Sequence, residues 1–287
     1  MVPTVRSHLG GIALEQAARR YLDLLKICLT RAVFPNSYRP VLTPGMQCNS
    51  LIRFLYSAFD RCLRLAGLVL LRPLEASVRP EGKDWPSEAE TMIGLVRMQN
   101  LEDCVIEILE RGVPGDLMET GVWRGGACIF MRGILAAFGD RERVVWAADS
   151  FQGLPRPDGR YPQDQGDKHW QLEDALSVPL AEVKANFARY GLLDRQVRFL
   201  EGWFKDTLPR APIERLALLR LDGDMYSSTM DSLEQLYPKL SSAGFLIVDD
   251  YGAVPACRQA VDDYRRRSGI AEPMTRIDWS GVFWKKR

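Results

Sequence analysis

From Gly115 onward the chain alternates short apolar stretches with amphipathic ones, and that regularity constrains the fold more than any other feature. "DLMETGV" (116–122), "RVVWAADS" (143–150), "QVRFLEGW" (196–203), "LALLRLDGD" (216–224) and "GFLIVDDY" (244–251) predict strands. Between them, 126–139, 180–192, 228–240 and 255–269 carry a helical period. Strands apolar on both faces must be covered on both sides, which means a mostly parallel sheet in an α/β fold. The tail departs from this pattern. "MTRIDWSGVFWKK" (274–286) reads as two short strands around Ser280-Gly281, an antiparallel C-terminal hairpin.

Residues 1–80 read as an N-terminal helical extension, set apart from a main domain at 81–287. One helix lies within 11–34, with Leu14, Tyr21, Leu25, Cys28 and Leu29 near one face. Pro35, Pro40 and Pro44 then break the chain. A second helix, 50–71, is apolar over much of its surface: it packs under the main domain, or serves as a lid or a dimer surface. "VRPEGKDWP" (78–86) has the composition of a linker or ordered loop. Ser87 with Glu90 has capping-box spacing and predicts a helix through Met92, Ile93, Leu95 and Val96. Asn100 with Asp103 predicts the start of another, ending at Gly112.

In an open α/β sheet the ligand lies beyond the carboxyl ends of the strands. Five consecutive predicted strand ends carry acids: Glu119, Asp149, Glu201, Asp222 with Asp224, and Asp249 with Asp250. The first turn, Gly121-x-x-x-Gly125-Gly126, opens a helix but lacks the G-x-G-x-x-G order of a dinucleotide turn. Glu119 ahead of it suits a cation such as a methionine ammonium better than a phosphate. Asp149, at the next strand end, is placed to accept both hydroxyls of a ribose; the alternative is a tight turn beside a solvated acid. Asp222, Asp249 and Asp250 fall on neighbouring strands, where three carboxylates repel unless a positive charge sits among them. Mg²⁺ suits such an oxygen donor set, with Asp222 also placed to act as general base. Helix capping by Asp224 or Ser227, and by Asp250, accounts for one or two of these acids but not three. His169, in the polar segment after the second strand, is an alternative base or a surface residue. Trp203 and Phe204 stack on a purine ring or simply pack. His8 has no evident role, and "YRRRS" (264–268) reads as a solvated helix face.

Composition excludes several function classes. Lys plus Arg total 38 against 37 Asp plus Glu, a net +1, so no global field draws in nucleic acid or an anionic membrane. The six cysteines are scattered without a C-x-x-C, which disfavours a zinc site or disulfide framework and suits a reducing compartment. Arg6, Glu15, Arg19, Arg20 and Asp23 interrupt any signal-like core, and the apolar run at 65–71 is too short to span a bilayer. The expectation is a cytoplasmic protein.

"LMETGVWRGGACIFMRG", "VWAADSFQGLP", "FLEGWFKDTLP", "LRLDGDMYSSTMDSLEQLYPKLSSAGFLIVDDY" and "GVFWKK" closely resemble the macrocin O-methyltransferase family. The resemblance spans about 84–287 and implies a Rossmann-like class I methyltransferase using S-adenosylmethionine and Mg²⁺. By position it implies that Glu119, Thr120, Gly121 and Val122 line the methionine moiety. Asp149 and Ser150 would lie at the ribose, Gly202 and Trp203 at the adenine, and Met92 and Asp222 near the cofactor. It also implies Asp222, Asp249 and Asp250 as metal ligands. The implied acceptor is a sugar hydroxyl of a glycoside or polyol, most plainly a deoxysugar on a natural product; a catechol-like phenol is the alternative within the class. The regions 35–80 and 152–171 match less closely, and acceptor selectivity is expected there. A homo-oligomer is expected. Two rivals from other classes are an NAD(P)-dependent oxidoreductase and a non-catalytic module that keeps the fold.

Overall fold

Seven strands form one sheet: β1 (Asp116–Thr120), β2 (Val145–Asp149), β3 (Val197–Glu201), β4 (Leu216–Leu221), β5 (Leu240–Val248), β6 (Thr275–Arg276) and β7 (Val282–Lys285). The computed structural model describes residues 4–34, 38–41, 49–73, 78–84, 86, 88–157, 159–166 and 168–287. Strand order is β3-β2-β1-β4-β5-β7-β6. The first five strands are parallel, while β7 runs antiparallel to β5 and β6 antiparallel to β7. The mostly parallel Rossmann-like sheet with its C-terminal hairpin is therefore present as the sequence pattern predicts.

Both faces of the sheet are covered. On one side lie α3 (Leu95–Glu110), α4 (Gly126–Ala137), α5 (Leu180–Arg189) and the end of α1 (Thr4–Leu29), burying Leu22, Leu25, Met98, Leu101, Ile129 and Phe187. On the other, α6 (Tyr226–Leu236) and α7 (Pro255–Arg267) bury Leu233, Ala260 and Val261 beside Trp284 of β7. Each large apolar side chain so buried contributes roughly 1.5–3 kcal/mol. Lys26 tethers α1 to α3 through Glu102 at 2.7 Å. Upstream, α2 (Ser50–Leu65) is capped by Asn49, whose side chain accepts the Leu51 N–H at 3.1 Å. Leu51, Phe54, Leu55 and Phe59 of that helix are exposed. A two-stranded ribbon pairs Tyr38–Pro40 with Leu71–Pro73.

Several local expectations are corrected. The predicted helix through Met92 and Ile93 is absent, and residues 88–94 run as irregular chain with Gly94 as the cap of α3. Asn100 and Asp103 lie inside α3 rather than at a helix start. The stripe Met98, Leu101, Val105 and Ile108 buries continuously through them, so packing overrides a local capping signal. Gly112 does end the turn after α3, with φ +62. The predicted caps at Asp224 and Ser227 are replaced by Asp164, whose carboxylate accepts the Tyr226 N–H at 2.8 Å and the Ser227 N–H at 3.0 Å. Asp250 does not cap α7 either; the N-cap of that helix is Val254, with Pro255 in its first turn. Pro35, Pro44, Cys48 and Ser87 lie outside the described residues, as do the side chains of His8, Leu14 and His169.

Candidate functional site

β1 is the point where strand order reverses, with β2 on one side and β4 on the other, so a crevice opens at the carboxyl ends. The ladder runs on past the strands and sets their ends in line. Gly121 N–H donates to the Ala148 carbonyl, Asp222 N–H to Thr120 and Asp249 N–H to Leu221, each at 2.9 Å. A cavity of about 270 Å³ occupies the crevice. Of the expected residues it brings together Met92, Gly121, Asp149, Ser150, Trp203 and Asp222 on its wall. Glu119, Thr120 and Val122 are buried behind that wall, and Asp249 and Asp250 are buried beside Asp222. Gly202, at φ +133, links β3 to the turn bearing Trp203. His169 opens a short 3₁₀ helix in the segment after β2.

The first turn is shaped by two close approaches. A Cβ on Gly121 would sit 1.8 Å from the Asp222 carbonyl oxygen, and the residue has φ +86. At Gly126 the first amide of α4 donates to the Glu90 carbonyl at 2.9 Å. The helix N-terminus that a dinucleotide needs for its pyrophosphate is thus covered by backbone, which disfavours the oxidoreductase reading. Asp149 clamps the turn: Oδ2 accepts the Val122 N–H at 2.7 Å and Oδ1 the Phe151 N–H at 2.8 Å. Burial raises its pKa, and these N–H bonds oppose that rise. The Trp123 N–H and the Ser150 hydroxyl make longer contacts with Oδ2 and Oδ1, each at 3.4 Å. Trp123, at φ +47, is a bulky residue in the left-handed region, the kind of strain that gathers at ligand sites. Its indole N–H donates to the Ala175 carbonyl at 2.9 Å.

Glu119 is held by the Arg220 guanidinium and by the Cys128 thiol, which donates at 3.0 Å. Burial, opposed by Arg220, pushes its carboxyl up to about 7. Arg220 also pairs with Asp222 at 2.7 Å and with Asp249, whose other oxygen is taken by Arg97. Carboxylate oxygens of Asp222, Asp249 and Asp250 all lie within 4.8 Å of one another. Asp250 accepts the Asp224 N–H at 3.2 Å, and among the described residues no Lys or Arg forms an ion pair with it. Burial, and then the carboxylates of Asp224, Asp222 and Asp249, drive its pKa well above the ordinary carboxylate range. The two guanidiniums therefore answer Asp222 and Asp249 but leave Asp250 without a counter-charge. The Asp222 side chain is 29% exposed against 4% for Asp249, and of the trio it alone lines the cavity.

The segment after β2 forms the outer wall, with Leu154, Pro155, Arg160 and Leu176 facing the cavity. It is pinned to α6 at three points. Asp164 caps the helix, Arg160 forms a forked pair with Asp231 at 3.1 Å, and the Tyr161 and Tyr226 rings lie 5.0 Å apart. Sequence reasoning missed Asp164, Trp123, Arg97 and Arg220. Only Arg220 carried a usable signal: it is a lone charge within an otherwise apolar strand, "LALLRL", and a buried charge requires partners. Asp224, read as a cap, instead lines the cavity at φ +56.

The macrocin-O-methyltransferase (TylF) family profile matches residues 18–286. The chain is 50% identical over 272 residues to the 8-demethyl-8-(2,3-dimethoxy-alpha-L-rhamnosyl)-tetracenomycin-C 4'-O-methyltransferase of Streptomyces olivaceus, covering 94% of each protein. It is 54% identical over 231 residues to the mycinamicin III 3''-O-methyltransferase of Micromonospora griseorubida, covering 79% of this chain and 91% of that one. The solved structure of the O-methyltransferase NovP superposes with a TM-score of 0.80 at 45% identity, over 94% of this chain and 99% of NovP.

Proposed function

The chain belongs to the macrocin-O-methyltransferase family and is an O-methyltransferase; from that premise we propose that it methylates a deoxysugar hydroxyl of a glycosylated natural product, with Mg²⁺ as a second cofactor. The relatives named above for a rhamnosyl-tetracenomycin and for mycinamicin III support the acceptor class. One observation carries the cation: three carboxylates converge within 4.8 Å, and the buried Asp250 has no cationic partner among the described residues. All-oxygen donors of this kind fit Mg²⁺. A cation held by Asp222, Asp249 and Asp250 supplies a Lewis acid that lowers the pKa of an acceptor hydroxyl.

The chain's own residues do the rest. Asp149 holds the ribose hydroxyls of S-adenosylmethionine, and Trp203 flanks its adenine. The Gly121 turn admits the methionine moiety. Asp222, open to the cavity, accepts the acceptor hydroxyl's proton as the oxygen attacks the methyl carbon. The carbon–sulfur bond breaks, leaving S-adenosylhomocysteine and the methyl ether. In the cation-free protein, burial and the adjacent Asp249 raise the proton affinity of Asp222 against the pull of Arg220. The segment pinned over the cavity by Asp164 excludes water from a reaction that depends on alignment of oxygen, carbon and sulfur. Asp222→Asn is expected to abolish transfer while S-adenosylhomocysteine still binds by calorimetry, and excess EDTA to silence the wild type. Full activity in either case overturns the cation mechanism.

A further inference from the structure

Arg220 is the only charged residue within β4, and its side chain is 2% exposed. In register it stands opposite Glu119 on β1 and Ile247 on β5. Removing a guanidinium from water at the middle of a sheet is costly, and it persists only where partners repay that cost. Arg220 has partners from three strand ends. Nη1 reaches Glu119 Oε1 and, at 2.7 Å, Asp222 Oδ2, while Nη2 reaches Asp249 Oδ1. Arg97 binds the other Asp249 oxygen and Asp278, the latter at 3.0 Å, and forms no ion pair with Glu119. One planar fork thus joins the carboxylate beneath the cofactor turn to two of the three carboxylates of the cation cluster.

We propose that Arg220 is a positioning residue that sets the cofactor and divalent-cation sites in competition, because the carboxylate beneath the cofactor turn and two of the cation's carboxylates share its single guanidinium. The inference rests on the cofactor and cation placements of the proposed function. A cation that takes Asp222 and Asp249 repels the guanidinium and draws its partners away. Arg220 then closes on Glu119, buried beneath the Gly121 turn, and cancels the negative charge that favours a methionine ammonium in that turn. Conversely, an ammonium in the turn above Glu119 repels Arg220 toward the two aspartates and weakens their hold on the cation. Linkage requires the two effects to be equal in size.

The test is titration of the full-length protein with S-adenosylhomocysteine by calorimetry, with and without saturating Mn²⁺, and with Mn²⁺ by electron paramagnetic resonance, with and without saturating S-adenosylhomocysteine. Each ligand is expected to weaken the other by the same factor, about fivefold or more. The paired substitution Glu119→Gln with Arg220→Met keeps the local net charge and is expected to reduce the factor to about twofold, the remainder being direct repulsion between the two cations. Arg97→Lys is expected to change Mn²⁺ affinity and keep the factor. Equal S-adenosylhomocysteine affinity with and without Mn²⁺ overturns the coupling, as does an unchanged factor in the paired variant. Failure of the wild type to bind Mn²⁺ at all, with S-adenosylhomocysteine still bound, overturns the cation reading and the coupling with it. If the paired variant does not fold, Arg220→Lys takes its place, since a lysine keeps the charge but not the three-way fork; a factor equal to the wild type's overturns the role of Arg220, and a smaller one supports it.

Discussion

Replacing Gly121 with alanine tests the geometry on which the whole site depends. The new Cβ would lie 1.8 Å from the Asp222 carbonyl oxygen, on a backbone at φ +86. Carbon–oxygen contacts close in at about 3.3 Å, so the ends of β1 and β4 must part by about 1.5 Å. That motion breaks the 2.9 Å bond from the Asp222 N–H to Thr120 and carries Asp222 away from its neighbours. Neither obstacle is a flexible side chain, so the strain cannot be relieved by a rotamer change. The left-handed backbone adds about 1–2 kcal/mol and the overlap about 1–3 kcal/mol. A loss near 3 kcal/mol lowers the melting temperature by roughly 5 °C in a chain of this size. A displacement of this size at a binding turn is expected to weaken S-adenosylhomocysteine at least tenfold, with transfer falling about a hundredfold. Gly139→Ala is the control, since Gly139 has φ +72 with nothing within 4 Å of the added carbon. It is expected to show the backbone strain alone and normal cofactor affinity. Calorimetry and thermal melts of the two variants decide the matter. If Gly121→Ala melts and binds cofactor as Gly139→Ala does, the close approach of the strand ends is not what the turn is built for.

Asp164→Ala removes the acceptor of both first-turn amides of α6. Hydrogen exchange at Tyr226 and Ser227 is expected to quicken about fivefold, matching roughly 1 kcal/mol for a lost cap; unchanged exchange refutes the anchoring role. The Asp194 carboxyl is held below its ordinary 3.8, first of all by its hydrogen bond from Arg132. Its contribution is therefore present above 3.8 and lost as pH falls through the lower folded value. Asp194→Asn is expected to cost on the order of 1 kcal/mol at pH 7, given a half-exposed pair, and denaturant melts should show the gap to wild type closing in acid.

Sequence pattern alone determined the order of strands and helices, the antiparallel hairpin, and the row of acids at the strand ends. These follow from side-chain period and turn chemistry, which act over a few residues and survive in almost any packing. Period and turn chemistry suffice to put Asp149, Asp222, Asp249 and Asp250 at the carboxyl edge. The helix expected after Ser87 shows the limit of that logic, because a capping signal yields where a continuous apolar stripe starts the helix later. Only the tertiary structure decided how the buried charges pair. Arg220 meets Glu119 across 101 residues, Arg97 meets Asp249 across 152, and Asp164 caps a helix 62 residues away. Such pairs depend on which strands become neighbours and on how far water is excluded from between them. Local sequence encodes neither of these, because strand neighbours and desolvation are properties of the assembled sheet.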